Sequence, residues 1–148
     1  LIICANVIAF VALAKLIDMI LMGINPMISL ENILGCIMFP FAWLMGLDTT
    51  EAFKLAQYMG TKLVTNEFVV MLDAKDIMDT FTPHMQAVLT VFVTSFANFS
   101  TLGMIIGCFK GLVGDDKNEL ISRNVGYMLL SGIMVSLLSA GIVGLFIW

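Results

Sequence analysis

The chain has 148 residues, 60% of them hydrophobic and only 12% charged, with a formal net charge of −4. Soluble domains are about one-quarter charged, and a soluble fold of this size has too little interior to hide so much apolar surface, so the composition is that of a membrane protein. No basic patch or basic-aromatic stripe points to nucleic acid, and Cys4, Cys36 and Cys108 lie far apart in apolar stretches without CxxC spacing, which leaves no disulfide or metal framework.

Leu1 stands inside an apolar run with no basic segment before it, so the expectation is a truncated start with further membrane segments upstream, not a signal peptide. Residues 1–23 read as a spanning helix: the apolar run continues past Lys15 and Asp18 and would reach about 34 Å. Asn25-Pro26 ends it, because proline disfavours helix at the residue before it. Residues 31–46 are too short for a comfortable span and contain Gly35, Pro40 and Gly46, which fits an interfacial helix with Trp43 at headgroup level. The stretch 51–72, the apolar part of a hairpin placed at 51–79, carries Glu51, Lys54, Lys62 and Glu67. An ionised group at the bilayer centre costs about 3 kcal/mol or more, so this segment is expected to dip in and return as a re-entrant hairpin with a polar tip near Gly60–Glu67.

Residues 73–84 read as a polar linker. The segment 84–110 is long enough to span, but its centre is Ser95-Phe96-Ala97-Asn98-Phe99-Ser100-Thr101, so a helix unwound at its middle is predicted. Residues 110–123 read as a polar loop whose Lys110, Lys117 and Arg123 place it in the cytoplasm. A last span covers 122–148, with Gly132, Ser136, Ala140 and Gly144 forming a stripe of small residues on which another helix packs closely. The fold class is an all-α membrane protein, a single membrane domain forming half of an inverted-repeat transporter with spanning helices, one interfacial helix, a re-entrant helical hairpin and a broken helix.

Glu67 is the sharpest chemical feature, since a carboxylate in an apolar run must be paired, neutralised or hydrogen-bonded. It accepts hydrogen bonds from a polar substrate, or it pairs structurally with Lys62 five residues earlier. Asn98 offers both donors and acceptors, which suits sugar hydroxyls, or it is an interhelical bond that merely holds the bundle. Ser95, Ser100 and Thr101 are weaker candidates because hydroxyls in membrane helices often bond their own backbone. Phe96 packs on a flat base or, as the default among eleven phenylalanines, against core or lipid. Lys62 reads as a structural partner or tip residue, and His84, beside Pro83 and near Asp79, as a solvated interfacial side chain. Two other functions stay in view: a membrane-embedded hydrolase using Glu67 and His84, which lacks an HExxH or GxSxG motif, and a purely structural oligomeric membrane subunit.

The strings GTKLVTNEFVVML at 60–72 and FANFSTLGMIIG at 96–107, with FPFAWLMGLDTTEA at 39–52 as a looser match, resemble the C-terminal domain of concentrative nucleoside transporters, including bacterial nucleoside permeases. That resemblance implies a non-enzymatic symporter: ion-coupled (Na⁺ or H⁺) nucleoside uptake across the cytoplasmic (inner) membrane by a multi-pass homotrimer working as an elevator. It implies that Glu67 and Asn98 bind the ribose hydroxyls, joined by Thr101, where some relatives have serine. Phe96 would lie near the nucleoside, with Ser100 a further candidate contact. No organic cofactor, catalytic residue or metal ligand is implied in this chain; base recognition and the coupling-ion site are expected upstream.

Overall fold

A computed structural model describes residues 2–25 and 28–148, except the side chains of 2–4, 6, 7, 10 and 11. Leu1, the Cys4 side chain and the helix-ending Pro26 therefore lie outside the described residues. The described residues are helices and turns: α1 (Ile2–Ile24), α2 (Leu30–Leu44), α3 (Thr49–Val64), α4 (Glu67–Ala74), a single 3₁₀ turn (Met78–Thr80), α5 (Pro83–Val93), α6 (Phe99–Lys110) and α7 (Asp115–Gly144). The all-helical expectation holds.

Short polar side chains start most of these helices, because each N-terminus leaves backbone N–H groups without an intrahelical acceptor. Ser29 accepts from the Asn32 amide at the head of α2 and Asp48 from the Glu51 amide at the head of α3. Thr82 does the same for Met85 at the head of α5, with Pro83 in the first turn, where its missing N–H costs nothing. Asp18, within α1, accepts from the Leu30 amide at 2.9 Å and so ties α1 to the start of α2. That bond accounts for a carboxylate in an otherwise apolar helix.

α2 and α3 pack against each other through a contact that tolerates no side chain. A Cβ on Gly60 would lie 2.5 Å from the Glu31 carbonyl oxygen and 2.8 Å from the Gly35 amide nitrogen. The turn between the two helices depends on Gly46, whose φ of +92° is a conformation that suits glycine. The core lies where α2, α3, α5 and α7 meet, and Ala42, Leu55, Met59, Met85, Phe92 and Ala140 are fully buried there. α1 packs mainly on α6, and α7 lies along α5 and α6. The small-residue stripe does what its pattern predicted. Ser136 and Ala140 are buried against the bundle, and Gly144 lets α7 approach Val88 and His84.

Two expectations need correction. Residues 110–123 are not a loop, since α7 begins at Asp115 and only a short turn separates it from α6. Asp115 and Asp116 occupy its first turn, where carboxylates offset the positive end of the helix, and Glu119 pairs with Arg123 one turn on. His84 is buried, not solvated, at 6% exposure. Its ring lies between two carbonyl oxygens, Nδ1 at 2.6 Å from that of Ile147 and Nε2 at 2.8 Å from that of Met45, and it stacks on Trp148. A neutral imidazole carries one N–H and donates to one of these at a time.

Along its 30 residues α7 is long and apolar enough to cross a membrane. Its Tyr127, Leu130, Val135 and Leu138, like Met19 and Ile20 of α1, are exposed on the outside of the bundle. Gly60→Val in the full-length protein is expected to lower its stability by about 1–3 kcal/mol through overpacking, read as a lower thermal unfolding midpoint in detergent. An unchanged midpoint would show that α2 and α3 are free to separate.

Candidate functional site at two helix breaks

The site begins with two interruptions. The first, Thr65-Asn66, separates α3 from α4; the second, residues 94–98, separates α5 from α6. α3 runs parallel to α5. At one end the Glu51 carboxylate accepts from the Thr82 amide at 3.0 Å and the Thr82 hydroxyl at 2.9 Å, and at the other Lys62 Nζ donates to Ser95 Oγ at 2.6 Å. α4 then turns back beside α5. Val70, Ala74 and Met78 share a small cavity with Leu89 and Val93, and Gln86 donates to the Met78 carbonyl. The two breaks are thereby set opposite each other.

Each break ends in an asparagine that caps the next helix. Asn66 Oδ1 accepts from the Val69 amide at 3.1 Å, and Asn98 Oδ1 accepts from the Thr101 amide at 2.8 Å. Glu67 is the first residue of α4 and sits at that helix's positive end, a favourable place for a carboxylate. Across the gap the Asn98 amide nitrogen donates to Glu67 Oε2 at 3.0 Å. Asn98 is 2% exposed, and Glu67 is half-buried. The two side chains singled out in the sequence therefore meet.

Thr101 joins them: its hydroxyl lies 3.0 Å from Asn98 Oδ1 and donates to the Phe96 carbonyl. Phe96 stands on the unwound segment with its ring 68% exposed. Ser100 is buried in the first turn of α6, and no hydrogen bond joins it to Glu67 or Asn98 among the described residues. An open cavity of about 360 Å³ lies beside the unwound segment, lined by Ser95, Phe96, Thr101, Met128 and Gly132, but Glu67 and Asn98 do not line it.

The structural pairing of Glu67 with Lys62 is not formed; the ammonium turns to Ser95 instead. The hydrolase alternative loses its geometry as well. His84 sits at the start of α5 on backbone carbonyls, and Asn98 with Glu67 lies beyond the other end of that helix, about 16 Å away at 1.5 Å per residue. Sequence reasoning missed the capping role of Asn66, the burial of Lys62 and its bond to Ser95. Asparagine just before an apolar run was the available signal for the first; local spacing held none for the others.

Buried polar groups at paired helix breaks, inside a bundle coated with apolar side chains, are the parts of a membrane transport domain. The chain belongs to the nucleoside transporter family whose model, described as "Na+ dependent nucleoside transporter C-terminus", matches residues 1–144. It is 48% identical over 147 residues to the purine nucleoside transport protein NupG of Bacillus subtilis, covering 99% of this chain and 37% of that protein. It is 32% identical over 125 residues to the nucleoside permease NupC of Helicobacter pylori, covering 81% of this chain and 30% of that one. Among solved structures it resembles a CNTnw variant in an outward-facing state with a TM-score of 0.88 at 25% identity, covering 97% of this chain and 38% of that one. It also resembles CNTnw in an inward-facing substrate-bound state, with a TM-score of 0.74 at 27% identity, covering 96% and 35%. The chain thus spans little more than a third of the length of the B. subtilis NupG and of two further relatives named as transporters, and these are transporters, not enzymes.

Asn66→Ala is expected to cost about 1 kcal/mol of stability by removing the cap of α4, with Asn66→Asp retaining most of it, measured as thermal unfolding midpoints of the full-length protein. Equal midpoints for all three proteins would remove the cap from the account of the break.

Proposed function

We propose that this chain supplies the ribose-binding half of the substrate site in an ion-coupled nucleoside uptake protein of the cytoplasmic membrane. The observation that carries the proposal is the hydrogen bond from the Asn98 amide to Glu67 Oε2 at 3.0 Å, made between two helix starts. Asn98 spends one of its two N–H groups there, and Glu67 keeps further lone pairs. Neighbouring ribose hydroxyls are donors that a carboxylate accepts strongly, because charge-assisted hydrogen bonds are about twice as strong as neutral ones. Thr101 lies within reach of the same amide, and the exposed Phe96 ring is the flat surface nearest the break.

The wider reading follows the family. Residues 51–79 act as a re-entrant hairpin, 84–110 as a helix unwound at its centre, 31–46 as an interfacial helix, and 1–23 and 122–148 as spans, together one half of an inverted repeat. The protein works as a homotrimer in an elevator-like cycle, driven by Na⁺ or H⁺ bound by the other half. The purine nucleoside named for the B. subtilis relative makes adenosine the natural probe.

Glu67→Gln in the full-length protein is expected to reduce adenosine uptake by about 100-fold, the loss of roughly 3 kcal/mol of charge-assisted bonding, with insertion in the membrane retained. Uptake at the wild-type rate would remove Glu67 from the site. Adenosine is further expected to be taken up better than 3′-deoxyadenosine, because a buried acceptor left without its donor is costly; equal uptake of the two, measured with radiolabelled substrates in proteoliposomes, would refute ribose recognition at this pair.

A further inference from the structure

Lys62 heads the fully buried side chains of the described residues, yet it bonds neither Glu67 nor Asn98. A buried ammonium is costly unless its surroundings compensate it. Its partners are Ser95 Oγ at 2.6 Å and the Phe92 ring, with Nζ 4.7 Å from the ring centroid. Phe92 is in the last turn of α5, Ser95 stands in the break just after it with its hydroxyl 2.9 Å from the Phe92 carbonyl, and Lys62 stands in the last turn of α3. Since these helices run parallel, their C-terminal ends finish side by side, each carrying a partial negative charge of about one-half. The Lys62 side chain reaches from the one end to the other, its ammonium on Ser95 and the Phe92 ring.

On the far side of both breaks the signs reverse. α4 and α6 present their positive N-terminal ends, and there the carboxylate of Glu67 sits. Each pair of like helix ends thus holds one fixed charge of opposite sign. The cation is also wired onward. An ammonium only donates, so Ser95 accepts from it. Ser95 Oγ lies 2.6 Å from Ser136 Oγ, and Ser136 lies 2.7 Å from the Gly132 carbonyl, so the contact reaches α7. The Lys62–Ser95 link spans 33 residues and the Glu67–Asn98 link 31, one on each side of the paired breaks.

We propose that Lys62 is a positioning residue of the nucleoside site: its ammonium, through Ser95, holds the break before Glu67 opposite the break before Asn98, and so sets the carboxylate on the amide. This rests on the ribose-binding reading above. The test compares Lys62→Met, Ser95→Ala and Glu67→Gln with wild type in the full-length protein, reading the ratio of KM values for adenosine and 3′-deoxyadenosine in proteoliposomes. A structural lesion that lowers the amount of folded transporter lowers both uptake rates and leaves that ratio alone.

The expected result is that Lys62→Met cuts the preference for adenosine by about tenfold, because a misaligned carboxylate forfeits its hydrogen bond to the 3′-hydroxyl. Ser95→Ala, which leaves the charge in place, is expected to cut it by less. An unchanged preference in Lys62→Met overturns the proposal, whatever the protein yield. Should Lys62→Met fail to reach the membrane, Ser95→Ala decides by the same ratio, a fall supporting the proposal and no change overturning it. Glu67→Gln separates the two ideas. If it is inactive while the Lys62 and Ser95 variants keep their preference, only the positioning role fails; if it transports normally, the ribose reading fails and takes this one with it.

Discussion

Two helices that stop side by side within an apolar environment set the terms for everything else in this protein. Each interrupted end leaves carbonyl or amide groups without intrahelical partners, and hydrocarbon supplies none. Nearby side chains answer part of this need. Thr94 and Ser95 turn their hydroxyls back to the carbonyls of Val91 and Phe92 at the end of α5, and Asn66 and Asn98 cap the helices that follow. Lys62 and Glu67 are then placed by polarity, the cation among carbonyl ends and the carboxylate among amide ends. What reads in the sequence as charges in the wrong solvent is a consequence of having broken the helices there.

The apolar fraction made membrane and all-helical architecture legible at once. Glu67 and Asn98 stood out because each interrupts an apolar run with a group that cannot be left alone. That they touch was not legible from local spacing, since 31 residues and a reversal of direction separate them; the likeness of the NEF and FANFS strings to a known family carried that step. Lys62 stands near the tip as its reading had it, but its partner was hidden for the same reason. Its nearest opposite charge in the chain is Glu67, but the break at Thr65-Asn66 lies between them, and the partner is a serine 33 residues on. His84 is similar, held by carbonyls 39 and 63 residues away. The start of α7 is a different case: the charges at residues 115–123 read as a loop, although paired aspartates are a helix-start signal.

Small residues do the work that hydrophobic burial does in soluble cores. Between helices bathed in lipid no water is released by association, so close approach and dispersion matter more. Gly35 and Gly60 let the backbones of α2 and α3 come within contact distance, and Ser136, Ala140 and Gly144 do so between α7 and α5. Ser136 belongs to both schemes, since it packs and also receives the polar thread that starts at Lys62.

The double engagement of Asn98 carries a consequence for the proposed site. Its oxygen is spent on the α6 cap and one of its N–H groups on Glu67, so rotating the amide by half a turn breaks both bonds at once. The group is locked in one orientation, and what stays unspent at the pair is one amide N–H and the carboxylate's remaining lone pairs. On the proposed reading such a pair asks its visitor mostly for protons to share. A sugar with both hydroxyls O-methylated keeps the ring's shape yet brings the carboxylate no donor.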